Sequence, residues 1–166
     1  ISSSPNNPFY LSPLGEVDDH FDGDYRLYCK LVTPNDPSIK QLTLDARSRL
    51  AKPPFTAYLH EDPNDRIAEV KAIFEAIATR DIVYQVYPSN NSGRYVQRVR
   101  LVSETLNDHK GCCLDVSILL CAALCEVGFH PILIHIQGHA LVAVFLEEKD
   151  FFSPNDACDN YGWFVN

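Results

Sequence analysis

From Leu114 to Val127 the chain is apolar at nearly every position, and Val116, Ile118, Leu119, Leu120, Ala122, Ala123 and Leu124 leave almost no polar face. That pattern predicts a helix buried on all sides. Gly128 ends it, because a glycine just past the last turn adopts the left-handed conformation that closes the final carbonyls, and Pro131 cannot continue a helix. Two β-branched and aliphatic runs follow, Ile132 to Ile136 and His139 to Leu146. Only Gln137-Gly138 separates them, so an antiparallel hairpin is the economical reading.

Upstream, the apolar spacing is helical. Asp36-Pro37 opens a helix in which Ile39, Leu42, Ala46 and Leu50 recur until Pro53-Pro54. Asp62-Pro63-Asn64-Asp65 opens a second, with Ile67, Val70, Phe74, Ile77 and Ala78 on one face opposite Glu69, Lys71, Glu75 and Arg80. Ile82 to Val86 reads as a strand, Pro88 to Gly93 as an exposed loop, and residues 102–108 as a short helix. Residues 1–24, rich in Pro, Asn, Ser and Asp, read as loop or extended arm, and Ser153 to Asn166 as irregular. The order of elements predicts an α+β fold in which a buried central helix packs on a small antiparallel sheet. A length of 166 residues suits one core. The expected division is an N-terminal arm, 1–29, and a domain, 30–166. The start at Ile1 and the absence of methionine suggest a segment of a longer protein.

Composition narrows the function. A formal charge of −8 and a pI near 5.1 argue against a phosphate-binding surface and so against nucleic acid. The basic concentration at Arg94, Arg98 and Arg100 is read as a solvated face. No apolar run reaches the length of a membrane span, and the start lacks a basic segment followed by a hydrophobic one, so a cytoplasmic protein without membrane contact is expected. The six cysteines fit reduced thiols rather than a disulfide framework. Cys121 and Cys125 stand one helical turn apart, but no second pair accompanies them, and core residues are preferred to zinc ligands. No cofactor is expected.

Chemistry concentrates at the edges of the apolar runs. Cys113 falls in the first turn of the central helix, where unpaired N–H groups and the positive end of the helix dipole favour an anion, the condition a nucleophilic thiol needs. His139 falls at the first residue of the second hairpin strand. If the hairpin packs on the helix, the imidazole comes within reach of the sulfur, as thiol catalysis requires. Against this stand blander readings: a small buried residue closing a helix end, and a strand-end histidine bonded to backbone. Asp115 is assigned a capping role. His135 is taken as structural, and His20, His60, His109 and His130 as surface residues.

Cys113-Leu114-Asp115 and Gly138-His139-Ala140, with Tyr87-Pro88-Ser89, Tyr95 to Arg100 and the whole run from Gly111 to Pro131, resemble the transglutaminase-like superfamily with its papain-like Cys/His core. The closest likeness is to the bacterial branch that occurs as a domain of larger effector or helicase-type proteins, and it spans roughly residues 30–150. The resemblance implies a papain-like core in which Cys113 is the nucleophile and His139 the base. It implies also a third polar residue orienting the histidine, for which Asp150 is the first choice among Asp150, Asn155, Asp156 and Asp159, unless that residue lies beyond Asn166. Gln97 resembles a glutamine whose amide would supply a second oxyanion donor beside the Cys113 N–H. The implied activity is a cysteine-dependent hydrolase or acyltransferase, first of all a cysteine peptidase acting on a protein or peptide. The alternative is an inactive interaction module that positions a neighbouring domain of the same polypeptide.

Overall fold

Where an aspartate precedes a proline, this chain turns into helix. In the computed structural model, which describes residues 16–18, 28, 30–52, 54–59, 62–85, 96–136 and 139–146, Asp36 caps α1 (Pro37–Arg47) and Asp62 caps α2 (Pro63–Ala78). Each carboxylate accepts the backbone N–H two residues on, at 2.8 Å, and the proline sits where a missing N–H costs nothing. The Asn64 backbone N–H, then its side-chain amide, hold the Asp62 carboxyl below its ordinary value. Its contribution to stability is therefore full above the usual carboxylate range and fades as pH falls through the lower, folded value.

The buried side of α1 is the expected one, Ile39, Leu42 and Ala46. That of α2 is not. Arg66, Glu69, Ala72, Ile73, Ala76 and Ile77 are buried, while Ile67 and Phe74, expected inside, are exposed. Glu69 turns inward because its carboxylate accepts the N–H and hydroxyl of Thr56 at 2.8 and 2.7 Å and the N–H of Ala57 at 2.9 Å. A buried carboxylate is tolerated when such donors replace its water. Those donors lead into a single 3₁₀ turn, Ala57–Leu59. From it the Tyr58 hydroxyl donates to the Phe145 carbonyl at 2.8 Å, and the ring packs edge-on against Phe129 and stacks on His130.

A short α3 (Val102–Asp108) precedes α4 (Cys113–Glu126), the centre of the fold. α4 packs against α1, α2, α3 and the strands that flank it, and Leu114, Ile118, Leu119 and Leu124 are fully buried in the core. Its end follows the expectation for Gly128. That glycine takes φ +95°, its N–H bonds to the Cys125 carbonyl at 3.1 Å, and the Phe129 N–H reaches back to the Leu124 carbonyl at 2.9 Å. The two bonds close a Schellman motif.

The strands form three two-stranded ladders among the described residues rather than one sheet. β1 (Glu16–Asp18) runs antiparallel to β3 (Val96–Arg98), so part of the N-terminal arm is a strand, its ladder supplied by backbone pairing and not by apolar periodicity. β2 (Val83–Tyr84) runs parallel to β4 (Lys110–Gly111). β5 (Pro131–Ile136) and β6 (His139–Val144) form the expected antiparallel hairpin, with Ile136 opposite His139 and Pro131 opposite Val144. The expected loop at 88–93 and the irregular segment 153–166 lie outside the described residues. Among the described residues no helix is long and apolar enough to cross a membrane.

Replacing Gly128 by alanine tests the end of α4. A Cβ there meets only the Ala57 Cβ at 3.5 Å, so the cost comes from the left-handed backbone rather than from crowding. Urea unfolding is expected to show a loss of about 1–2 kcal/mol, and an unchanged midpoint would contradict the closure.

Candidate functional site

The start of α4 is held by one carboxylate. Asp115 accepts the Cys112 N–H at 2.9 Å through Oδ2 and the Arg100 N–H at 2.8 Å through Oδ1, and Arg100 Nη1 donates to Oδ2 at 3.1 Å. Arg100 Nη2 continues to the Gln85 Oε1 at 3.0 Å, and the Gln85 N–H donates to the Gly111 carbonyl at 3.0 Å. The capping role expected for Asp115 is present. The solvated face expected for Arg100 is not, because this guanidinium is 2% exposed and faces a carboxylate that is fully buried. At Gly111 an added Cβ would stand 3.2 Å from the Asp115 Cβ and 3.3 Å from the Thr105 Cγ2, which explains the glycine by close approach. Burial, above all, pushes the Cys112 thiol up, which disfavours its thiolate.

Cys113 is the first residue of α4 and is partly buried. His139 is the first residue of β6 and is exposed. Both line a cavity of about 690 Å³. Its walls are otherwise mainly apolar: Ile67, Val70 and Phe74 from α2, Val116 and Leu120 from α4, and Leu141, Val142 and Val144 from β6. Lys71 and Ser117 add polar groups. Cys113, Val116, Ser117, Leu120 and Leu124 follow helical spacing, so one stripe of α4 faces this cavity and the helix is not enclosed on all sides as its composition suggested.

The remaining candidates are less closely placed. Gln97 lies on β3 opposite Val17, on a ladder that includes neither Cys113 nor His139. Asp150 lies outside the described residues, as do Asn155, Asp156 and Asp159. His135 pairs through its backbone with Ala140. His109 closes α3 in the left-handed region at φ 52°, its Nδ1 at 2.6 Å from the Arg80 carbonyl, and His130 is exposed beside Tyr58. Cys112, Cys113, Cys121 and Cys125 are reduced, and among the described residues no three His, Cys, Asp or Glu side chains are grouped to hold a metal ion.

Sequence reasoning overlooked two residues, read only as strand. Gln85, just past β2, accepts from Arg100 Nη2, and the phenol of Tyr84 before it is held above its ordinary value, above all by the charge of nearby Cys113. Their alternation was visible in sequence, but the parallel register of β2 on β4 was not.

Compared with known proteins, residues 57–153 match the model of a family described as a transglutaminase-like domain. The matched span takes in Cys113, His139, the Arg100–Asp115 pair and every residue of the cavity. No curated protein and no solved structure matches the chain.

Substituting Asp115 by alanine removes the carboxylate that holds the Arg100 side chain and two backbone N–H groups. Because the change strands a buried charge, unfolding free energy is expected to drop by about 3–5 kcal/mol. A loss below about 1 kcal/mol, read from denaturant midpoints, would show the pair to be dispensable.

Proposed function

With the chain a member of the transglutaminase-like family, whose match covers more than half of it, we propose that it is a cysteine-dependent hydrolase or acyltransferase, and foremost a cysteine peptidase. The observation that carries this reading is that Cys113 and His139 line the same cavity. A thiol at a helix N-terminus and an imidazole on a strand end are the two parts acyl transfer needs, a nucleophile and a proton carrier.

The steps follow from these groups. The Cys113 thiolate adds to an amide carbonyl, forming a carbon–sulfur bond and an oxyanion that the Cys113 N–H at the head of α4 is suited to receive. Collapse breaks the carbon–nitrogen bond as protonated His139 gives its proton to the departing amine, leaving a thioester. Water then attacks the thioester, His139 takes its proton, and the acid and the thiolate are released; an amine in place of water gives transamidation instead. Asp150 is the proposed partner of the His139 ring and Gln97 the proposed second oxyanion donor. The apolar walls suit a peptide that presents an aliphatic or aromatic side chain beside the scissile bond, and they disfavour a glycan, whose hydroxyls would lose water without replacement. The substrate is thus proposed to be a protein or peptide.

Alkylation with iodoacetamide at pH 6–7, followed site by site by mass spectrometry, tests the nucleophile. Cys113 is expected to react at least about tenfold faster than glutathione, an unperturbed thiol, and His139→Ala to remove most of that excess. Equal rates for Cys113 and glutathione would reduce the domain to a binding module.

A further inference from the structure

We propose that the Ser117 hydroxyl binds the first peptide group on the acyl side of the scissile bond, a role that rests on the proposal that Cys113 is the nucleophile and makes the centre selective for acyl groups carrying that amide. The stripe of α4 that faces the cavity reads Cys113, Val116, Ser117, Leu120 and Leu124, and beyond the cysteine Ser117 is its one polar side chain. The residue is only 7% exposed, and its hydroxyl has no hydrogen-bond partner among the described residues. A hydroxyl inside a helix ordinarily bonds to a carbonyl about one turn back or turns to solvent. Thr43 and Thr79 do the first, each donating at 3.0 Å to the carbonyl three residues earlier. Ser117 does neither. The Thr105 hydroxyl, also unpartnered, is sealed in the core, whereas Ser117 lines the cavity beside the sulfur. A buried polar group without a partner is costly, and a ligand that completes it accounts for its presence on an otherwise apolar wall.

The spacing suits a peptide. Ser117 follows Cys113 by four residues on the same face of α4, a rise of about 6 Å along the helix, and successive Cα atoms of a substrate chain stand about 3.8 Å apart. With the scissile carbonyl on the sulfur, the hydroxyl meets the neighbouring peptide group rather than the scissile one. In the proposed reaction the amine leaves beside His139 on β6, so the acyl side stays with α4. A hydroxyl both donates and accepts, and so serves either the N–H or the carbonyl of that group. Lys71, the other polar group of the α2 wall, is engaged outside: its side chain is 72% exposed and pairs with Glu75 at 3.7 Å. The walls that receive an aliphatic or aromatic side chain leave a peptide group unpaired, and Ser117 supplies the partner they lack.

The test compares two reagents that alkylate Cys113 in the whole chain: the chloromethyl ketone of N-acetyl-phenylalanine, and that of hydrocinnamic acid, which has hydrogen in place of the acetylamino group. Each forms a carbon–sulfur bond with loss of chloride. The concentration dependence of labelling, read at Cys113 by mass spectrometry, separates the half-saturating concentration from the maximal rate. Wild type is expected to saturate at a lower concentration of the amide-bearing reagent. Alanine is the better helix former, so Ser117→Ala is expected to keep the fold, checked by thermal melting. It is expected to raise the half-saturating concentration of the amide-bearing reagent about five- to tenfold, the loss of one hydrogen bond, with the maximal rate and the constants for the other reagent unchanged. A shift of equal size for both reagents, no shift for either, or a change confined to the maximal rate would overturn the binding role. Wild-type Cys113 no faster than glutathione toward iodoacetamide would overturn the proposed nucleophile instead, so the two readings fail separately.

Discussion

A guanidinium and a carboxylate removed from water hold this site together. Burying Arg100 and Asp115 carries a desolvation cost that their mutual attraction alone does not reliably offset. Here the carboxylate also accepts the backbone N–H groups of Cys112 and Arg100, so nearly all its hydrogen-bonding capacity is used. The gain is in position more than in net stability. One residue of α4 is tied at once to the segment leaving β3, to the segment leaving β4 and, through Gln85, to β2. The helix start that carries Cys113 is therefore fixed by chain segments far apart in sequence.

With that end fixed, α4 serves two environments. Leu114, Ile118 and Leu119 face a fully buried core, while the stripe beginning at Cys113 looks into the cavity. The same apolar composition answers both demands, which is why the helix has almost no polar face and still is not wholly enclosed. Opposite the helix, the hairpin offers His139 at the very start of its second strand, exposed where β6 begins. In the proposed reaction Cys113 bonds to the substrate and His139 moves protons.

The parts of this arrangement legible in sequence are those set by neighbours along the chain. Asp-Pro pairs mark the starts of α1 and α2, Gly128 marks the end of α4, and Gln137-Gly138 divides the hairpin, because capping and turning depend on residues a few positions apart. Arg100 was misread for the opposite reason. A basic residue near two others looks solvated until the fold brings Asp115 to it, and no local pattern announces that meeting. α2 was misread similarly: Phe74 looked like core and Glu69 like surface, yet the carboxylate finds donors at Thr56 and Ala57 while Phe74 becomes cavity wall. Tyr84 depended on a parallel register between two strands too short to show a period of their own.

Glu69 and Tyr58 have a role in the geometry of the cleft. Glu69 grips the 3₁₀ turn from α2, and Tyr58 in that turn grips the carbonyl of Phe145 just past β6. The α2 wall and the β6 wall are thereby joined through the 3₁₀ turn. The gap between them depends in part on one phenol and one carboxylate, so its width can drift in evolution while Cys113 and His139 stay unchanged.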